Sequence, residues 1–233
     1  MNKIEFFNKC KENNLILSEM QMNQLHQYFL MLVETNKVMN LTGITDENEV
    51  YEKHFYDSLI FSFELDLNDK KIVDVGTGAG FPGLVLAICY PNSQITLVEP
   101  LTKRCNFLSS VVNELKLDNV TILNKRSEEL NEYREYFDIA TARAVARLNI
   151  LLELIMPLVK VNGLFVGLKG RQGEEEILEA TNALKLLNSK VINVQKVSLV
   201  TDNDTRINVF IKLLNKINNK YPRNYSQIKK KPL

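Results

Sequence analysis

The chain has 233 residues, 45% of them hydrophobic and 24% charged, with a net charge of +1, which leaves room for one α/β domain with an appendage or for two small domains. No apolar run approaches the ~20 residues that span a bilayer, and the start MNKIEFFNKCKENN lacks the unbroken apolar core of a signal peptide, so a cytoplasmic protein with no membrane contact is expected. Cys10, Cys89 and Cys105 are spaced neither as a disulfide framework nor as a zinc site, and no metal is expected.

Residues 1 to 65 carry three amphipathic helical patterns and nothing strand-like. Ile4, Phe7 and Cys10 recur at helical spacing. Ser18-Glu19-Met20-Gln21 is a capping box, opening a helix with Leu25, Phe29, Leu32 and Val33 on one side. The third pattern, over 45–63, turns Val50, Phe55, Leu59 and Phe63 inward. Between the last two lies the polar stretch 36–43, a capped turn or a contact surface; periodicity favours the turn. His26 falls within a helical pattern and reads as a surface residue.

Residues 71–99 organise the rest. Lys71-Ile72-Val73-Asp74-Val75 runs into Gly76-Thr77-Gly78-Ala79-Gly80; a helical pattern (Leu84, Val85, Ala87, Ile88) follows, then an apolar run ending on Glu99. This is a strand, turn, helix and second strand. The glycines let a ligand lie against bare backbone beside a helix N-terminus, and Glu99, 19 residues past Gly80, stands near the offset at which a carboxylate meets ribose hydroxyls. Gly78-Ala79-Gly80-Phe81-Pro82-Gly83 satisfies the dinucleotide fingerprint, but that signal is weak alone. Asp74 would repel a pyrophosphate and suit a sulfonium carrying an amino group, so S-adenosyl-L-methionine fits better than NAD. A glycine loop that merely joins strand to helix is the plain alternative.

Beyond Glu99 the patterns alternate: helix over 103–115, strand over 120–123, helix over 149–159, strand over 164–168, helix over 174–187, then two β-rich runs, 191–200 and 207–213, expected to be antiparallel. Alternation of this kind implies an α/β fold with a doubly wound, mostly parallel sheet. Ligands in such sheets lie beyond the carboxyl ends of the strands, where Gly76, Glu99, Arg126-Ser127-Glu128 and Arg143 would converge. The expected division is a helical N-terminal cap over 1–66, a cofactor-binding domain over 67–214 and a basic tail over 215–233. That tail holds Lys216, Lys220, Arg223, Lys229, Lys230 and Lys231 with no acid, leaving residues 1–214 at −5; it reads as a phosphate-binding segment or as a solvated terminus.

Along nearly its full length the chain resembles the RsmG/GidB family of 16S ribosomal RNA guanine-N7 methyltransferases. The matching segments are Asn36-Lys37 with Asn40-Leu41-Thr42, His54 with Asp57-Ser58-Leu59, the glycine loop from Asp74 through Gly83, Lys103-Arg104 with Phe107-Leu108, Arg126 with Glu128, Thr141-Ala142-Arg143-Ala144-Val145-Ala146, Leu168-Lys169-Gly170, and Tyr221-Pro222-Arg223 with Lys231-Pro232-Leu233. Thr35, Ser226 and Ile228 depart from the family pattern, where tryptophan, glycine and proline are common. The resemblance implies a Rossmann-like class I methyltransferase that binds S-adenosyl-L-methionine and acts on 16S rRNA or the small ribosomal subunit; a monomer is expected, though no residue pattern fixes the oligomeric state. It implies that Gly76, Gly78 and Phe81 line the cofactor, that Glu99, Pro100 and Leu101 meet its ribose and adenine, that Ser127 and Glu128 border the adenine, and that Arg143 sits where methyl donor meets substrate. Read by residue type alone, Phe81 is a core aromatic, Glu128 a surface acid and Arg143 an ion-pair partner of Asp74 or Glu99.

Guanine N7 attacks with a lone pair that carries no proton, so no general base is required and no catalytic acid, base or nucleophile is assigned; positioning and electrostatics are the protein's work. The place after the fourth strand reads Phe137-Asp138-Ile139-Ala140-Thr141-Ala142-Arg143, without the Asn/Asp-Pro-Pro-aromatic segment of amine methyltransferases, and no cysteine has the Pro-Cys context of pyrimidine-C5 enzymes. His54 is expected to hydrogen-bond Asp57 or a loop carbonyl and hold the cap. Lys103, Arg104, Arg147, Lys169, Arg171 and the tail are the candidate RNA cations, with Tyr221 and Tyr225 for stacking. A small-molecule methyltransferase of the same fold and a nonenzymatic RNA-binding factor are the rival readings.

Overall fold

Asn2 opens the first helix, α1 (Lys3–Glu12), accepting hydrogen bonds from the Ile4 and Glu5 N–H groups. The computed structural model describes residues 1–199 and 205–233. In α1 the buried side chains are Phe6 and Cys10, while Ile4 is 73% exposed. The expected stripe starts on the wrong residue, because Ile4 lies about 200° around the helix from Phe6. Helix α2 (Glu19–Met39) begins at the expected capping box of Ser18 and Gln21 and buries Leu25, Tyr28, Phe29 and Leu32. Asn36 stays inside α2; its Oδ1 accepts from the Leu41 N–H at 2.6 Å and the Thr42 N–H at 2.9 Å, and so builds the expected turn.

The third pattern is one helical run, α3, but not a uniform one. It passes from Glu47–Val50 through a widened π turn, Tyr51–Tyr56, and a short α turn, Asp57–Leu59, to a 3₁₀ turn, Ile60–Glu64. Such widened turns re-aim side chains, and they recur at functional sites; this one carries His54 and leads directly into Asp57.

A seven-stranded sheet follows in the order β3-β2-β1-β4-β5-β7-β6. Strands β1 (Lys71–Val75), β2 (Gln94–Val98), β3 (Val120–Leu123), β4 (Phe137–Arg143) and β5 (Val159–Lys169) are parallel, while β7 (Thr205–Leu213) runs antiparallel to both β5 and β6 (Ser189–Ser198). Helices α4 (Gly83–Cys89) and α5 (Thr102–Leu115) pack with the cap on one face, burying Ile72, Ile95 and Leu97. The opposite face buries Val73, Val98 and Ala140 with α6 (Leu148–Ile155), α7 (Gly173–Glu179) and α8 (Thr181–Leu186). Neighbours such as Ile72 and Val73 thus feed different cores, as the pleat requires.

The predicted boundaries shift where local chemistry intervenes. The helix expected over 149–159 stops at Ile155, because Pro157 falls in a 3₁₀ turn, Met156–Leu158, where it costs no helical hydrogen bond. Strand β5 then starts five residues earlier than expected. The helix expected over 174–187 is broken at Ala180, where the Thr181 hydroxyl turns back to donate to the Leu178 carbonyl. The predicted end of the penultimate strand, Val200, lies outside the described residues.

The C-terminal segment packs down instead of dangling. Ile217, Tyr221 and Ile228 are buried against the α6 face, and α9 (Tyr225–Lys230) closes the chain. Glu153 of α6, fully buried, takes Arg223 at 2.8 Å from Nε and 2.6 Å from Nη2, and Arg134 donates to the carbonyls of Ile217 and Tyr221. Among the described residues no helix is long and apolar enough to cross a membrane, and no group of three acidic, histidine or cysteine side chains is arranged to hold a metal.

Candidate active site

Strand order reverses between β1 and β4, and there the loops at their carboxyl ends part to form a crevice. The loop after β1 is shaped by Gly76 (φ +71°), Gly78 (φ +61°) and Gly80 (φ +107°), a left-handed sequence that only glycine adopts without cost. A Cβ on Gly80 would lie 2.8 Å from the Tyr28 hydroxyl. That hydroxyl donates to the Ala79 carbonyl at 2.6 Å, so the cap's second helix grips the loop from behind.

Asp74 is fully buried, and it does not face the crevice. Its Oδ2 accepts the Gly83 N–H at 2.8 Å, and the Thr141 hydroxyl lies 3.3 Å from Oδ1. Burial pushes its carboxyl up to about 6, against the pull of the Gly83 N–H and the Arg143 charge. The expected direct greeting of a sulfonium is therefore corrected: Asp74 caps α4 from inside the protein. With this carboxylate already on the helix N-terminus, and the Leu84 N–H held by the Gly80 carbonyl at 2.8 Å, the place where a dinucleotide seats its pyrophosphate is taken.

The crevice, about 530 Å³, is lined by Thr42 and His54 of the cap, Gly76, Gly78 and Phe81 of the loop, Glu99, Pro100 and Leu101 after β2, Arg104 of α5, and Arg143, Ala144 and Val145 after β4. Seven expected residues thus meet on one wall system: Gly76, Gly78, Phe81, Glu99, Pro100, Leu101 and Arg143. Ser127 and Glu128 line a small separate cleft beside Leu130, Arg134 and Pro222. Glu99 is buried, and each of its oxygens accepts one backbone N–H, from Gly78 and from Leu101, both at 3.0 Å. Each oxygen keeps a further lone pair for a hydroxyl donor.

Arg143 pairs with neither Asp74 nor Glu99. Its Nη1 lies 3.1 Å from Asp57 Oδ2, while Arg206 Nε reaches Asp57 Oδ1 at 3.1 Å. One buried carboxylate from the cap thus holds two guanidiniums from the sheet. Arg143 also sits 4.9 Å from the Phe81 ring centroid, and His54 stacks on the same ring with the centroids 4.5 Å apart. His54 does not bond Asp57: its Nε2 lies 2.7 Å from the Thr42 hydroxyl and its Nδ1 3.2 Å from the Lys53 carbonyl. Burial, aided by the Arg143 charge, pushes its pKa down to about 3 and keeps the ring neutral.

Val145 and Ala144, the latter at φ +55°, form a sill; a Cβ on Gly76 would meet Val145 Cγ2 at 2.6 Å. On the far side of that sill a second chamber of about 540 Å³ opens between the cap, the carboxyl end of β5 and the amino end of β7. Of the candidate RNA cations, Lys169 is consumed internally, 2.8 Å from Glu176 and buried, and Arg147 pairs with Glu179 at 2.6 Å. Lys103 is exposed, and Arg104 reaches toward Glu99 at 3.6 Å. In the tail, Arg223 is spent on Glu153, leaving Lys229, Lys230 and Lys231 exposed at the end of α9.

Tyr28, Thr42 and Asp57 escaped the sequence reading as members of this site. Tyr28 shares the helical stripe of Leu25, Phe29 and Leu32, which was the available signal.

The profile of the GidB family, described as rRNA small subunit methyltransferase G, matches residues 21–209. The chain is 51% identical to the Mycoplasma capricolum protein named Ribosomal RNA small subunit methyltransferase G, covering 93% of this chain and 94% of that one. It is 45% identical to the Staphylococcus aureus protein of the same name, with 97% and 95% covered. In fold it resembles a SAM dependent methyltransferase from Aquifex aeolicus (TM-score 0.55, 17% identity, covering 72% of this chain and 94% of that one). It also resembles M. jannaschii TYW2 in complex with AdoMet (TM-score 0.57, 14% identity, covering 74% and 80%). With a profile match over most of its length and close relatives aligned nearly end to end, the chain belongs to the rRNA small subunit methyltransferase G family.

Proposed function

We propose that this protein transfers a methyl group from S-adenosyl-L-methionine to N7 of a guanine in 16S rRNA, in the rRNA or in the small ribosomal subunit. The observation that carries the cofactor reading is the crevice wall itself. A Cβ on Gly78 would approach only the Gly76 carbonyl, at 4.0 Å, so bare backbone opens toward the ligand, and the helix N-terminus suited to a pyrophosphate is closed by Asp74. The donor set fits the cofactor: Glu99 for ribose hydroxyls, Pro100, Leu101 and Phe81 as apolar flanks, and Gly76 and Gly78 for backbone contact. Ser127 and Glu128 border the adenine from the β3 side in this reading, and Arg143 stands at the methyl end. Residues 1–66 act as a cap, 67–214 as the cofactor-binding unit and 215–233 as a basic tail that joins the RNA surface.

In that crevice, held by Gly76, Gly78, Phe81, Glu99, Pro100 and Leu101, S-adenosyl-L-methionine would supply a methyl group on a sulfonium, the C–S electron pair leaving with sulfur as the N7 lone pair forms the C–N bond, so the chain's residues would have no proton to move. The chain's residues then act by position. Asp57 and Phe81 fix the Arg143 guanidinium, Val145 sets the height of the sill, and the neutral His54 ring adds no like charge beside a cationic donor.

The test is transfer of labelled methyl groups to small-subunit rRNA lacking the modification, followed by nucleoside analysis, with wild type and Gly78→Asp. Aspartate is among the side chains that adopt the left-handed backbone at least cost and has open space at position 78, so the variant is expected to fold, which circular dichroism checks, and to place a carboxylate in the crevice. 7-methylguanosine from wild type and none from the variant is the expected result. Cofactor binding without transfer to rRNA or subunits would refute the RNA substrate.

A further inference from the structure

The cofactor crevice accounts for about 530 Å³, yet a second chamber of about 540 Å³ lies across the Ala144–Val145 sill. Among the described residues, only His54, Arg143, Ala144 and Val145 line both. The second chamber has the apolar surfaces that flank an aromatic ring, Ile44, Ala146 and Leu168, and it is large enough for a whole nucleotide. Asp57 holds Arg143 and Arg206 at the shared wall, while Lys169, paired with Glu176, and Arg147 line the chamber as well.

We propose that this second chamber seats the target guanosine, flipped out of its RNA, and that Arg143 selects it by donating to O6 on the edge that carries N7. The proposal rests on the N7 methyltransferase reading above. A purine that turns N7 toward the sill turns its C6 substituent the same way; that group is an acceptor in guanine and a donor in adenine. Arginine can only donate. Arg143 therefore matches guanine and leaves adenine's amino group facing a cation's N–H. Its direction is not free to adapt, since Asp57 Oδ2 at 3.1 Å, the Lys53 carbonyl at 3.3 Å and the Phe81 ring at 4.9 Å hold it on three sides. Asp57 is on this view a positioning residue: its charge also sits close to the base that becomes cationic when N7 is methylated.

Gly170 supplies the test. It lines the second chamber and not the first, and a Cβ there meets no atom of the described residues within 4 Å. Gly170→Leu in the full chain adds an isobutyl group to the lining of this chamber and leaves the lining of the cofactor crevice unchanged. The expected outcome is S-adenosyl-L-methionine binding within about twofold of wild type and methyl transfer to unmodified small-subunit rRNA reduced about 100-fold or more. Guanosine 5′-monophosphate should inhibit wild-type transfer at least about tenfold better than the 2-aminopurine riboside monophosphate, which lacks O6, and raising the cofactor concentration should not relieve it. Wild-type transfer by Gly170→Leu, or loss of its cofactor binding while folded, overturns the separate seat. Equal inhibition by the two nucleotides overturns the O6 contact. Should Gly170→Leu fail to fold, Ala146→Leu narrows the same chamber and is judged by the same two readouts. If wild type itself transfers nothing to RNA, the function reading falls and the guanosine seat falls with it.

Discussion

Asp57→Asn tests how the cap is locked to the sheet. Asp57 is 6% exposed, and each carboxylate oxygen receives an arginine at 3.1 Å, with the two arginine side chains only 16% and 18% exposed. Asparagine keeps the shape and one acceptor, but it loses the charge and turns an N–H₂ toward one guanidinium. A charge-assisted hydrogen bond to a buried group contributes about 1.5–3 kcal/mol, and leaving a buried partner uncompensated costs about 3–5 kcal/mol. Since one of two contacts survives, the expected loss is about 3 kcal/mol. For a chain of this length that is a fall in Tm of roughly 6–12 °C, with a lower urea midpoint at unchanged m-value. Circular dichroism during thermal and urea unfolding reads both. A loss below about 1 kcal/mol, the value of an exposed ion pair, would refute the idea that this carboxylate locks cap to sheet.

Asp74 and His54 should tilt stability with pH in opposite directions. The Asp74 carboxyl, raised to about 6 from an ordinary 3.8, favours the folded state below 3.8 and loses that contribution as pH rises through 6; relative to Asp74→Asn, wild type should weaken by about 3 kcal/mol between pH 4 and pH 7. His54, lowered to about 3 from 6.5, stays neutral in the fold while the unfolded chain takes up a proton below 6.5, so relative to His54→Gln wild type should lose about 2 kcal/mol between pH 7 and pH 5. Urea titrations at each pH measure both, and a flat difference for either pair would contradict the burial assigned to that group. The His54 ring resonances should also hold still in NMR spectra from pH 8 to pH 5. Arg223→Ala leaves Glu153 buried without its partner; a loss of about 3 kcal/mol and faster hydrogen exchange across 217–228 are expected, whereas unchanged exchange would mean the tail is held by its apolar side chains alone.

The glycine loop, its flanking strands and Glu99 were legible because they obey local rules: three positive-φ glycines and a strand–helix–strand pattern within thirty residues. What sequence reasoning missed is tertiary. Tyr28 reaches Ala79 across 51 positions, Arg143 reaches Asp57 across 86, and Arg206 reaches Asp57 across 149; no periodicity encodes such partners. Asp74 shows a subtler limit. The residue type was rightly singled out, but its direction was not, because facing the crevice or facing α4 depends on which side of β1 the pleat presents. Lys169 was misjudged for the same reason: its position at the carboxyl end of β5 suggested a rim cation, and the chain turns it inward to Glu176.

The pairing of Glu153 with Arg223 also sets a schedule for the newborn chain. The two residues are 70 positions apart, and at roughly 5–20 residues per second of synthesis the acid emerges about 4–14 s before its counterion exists. Throughout that interval α6 would have to bury a bare carboxylate, and β5 would lack β7, the neighbour that is translated last but lies inside the sheet. Until both partners exist, closing the C-terminal half costs the burial of an unpaired acid and leaves a strand edge of β5 open. A chain released before β7 and Arg223 are made exposes both a charged helix and an unpaired strand edge to quality control.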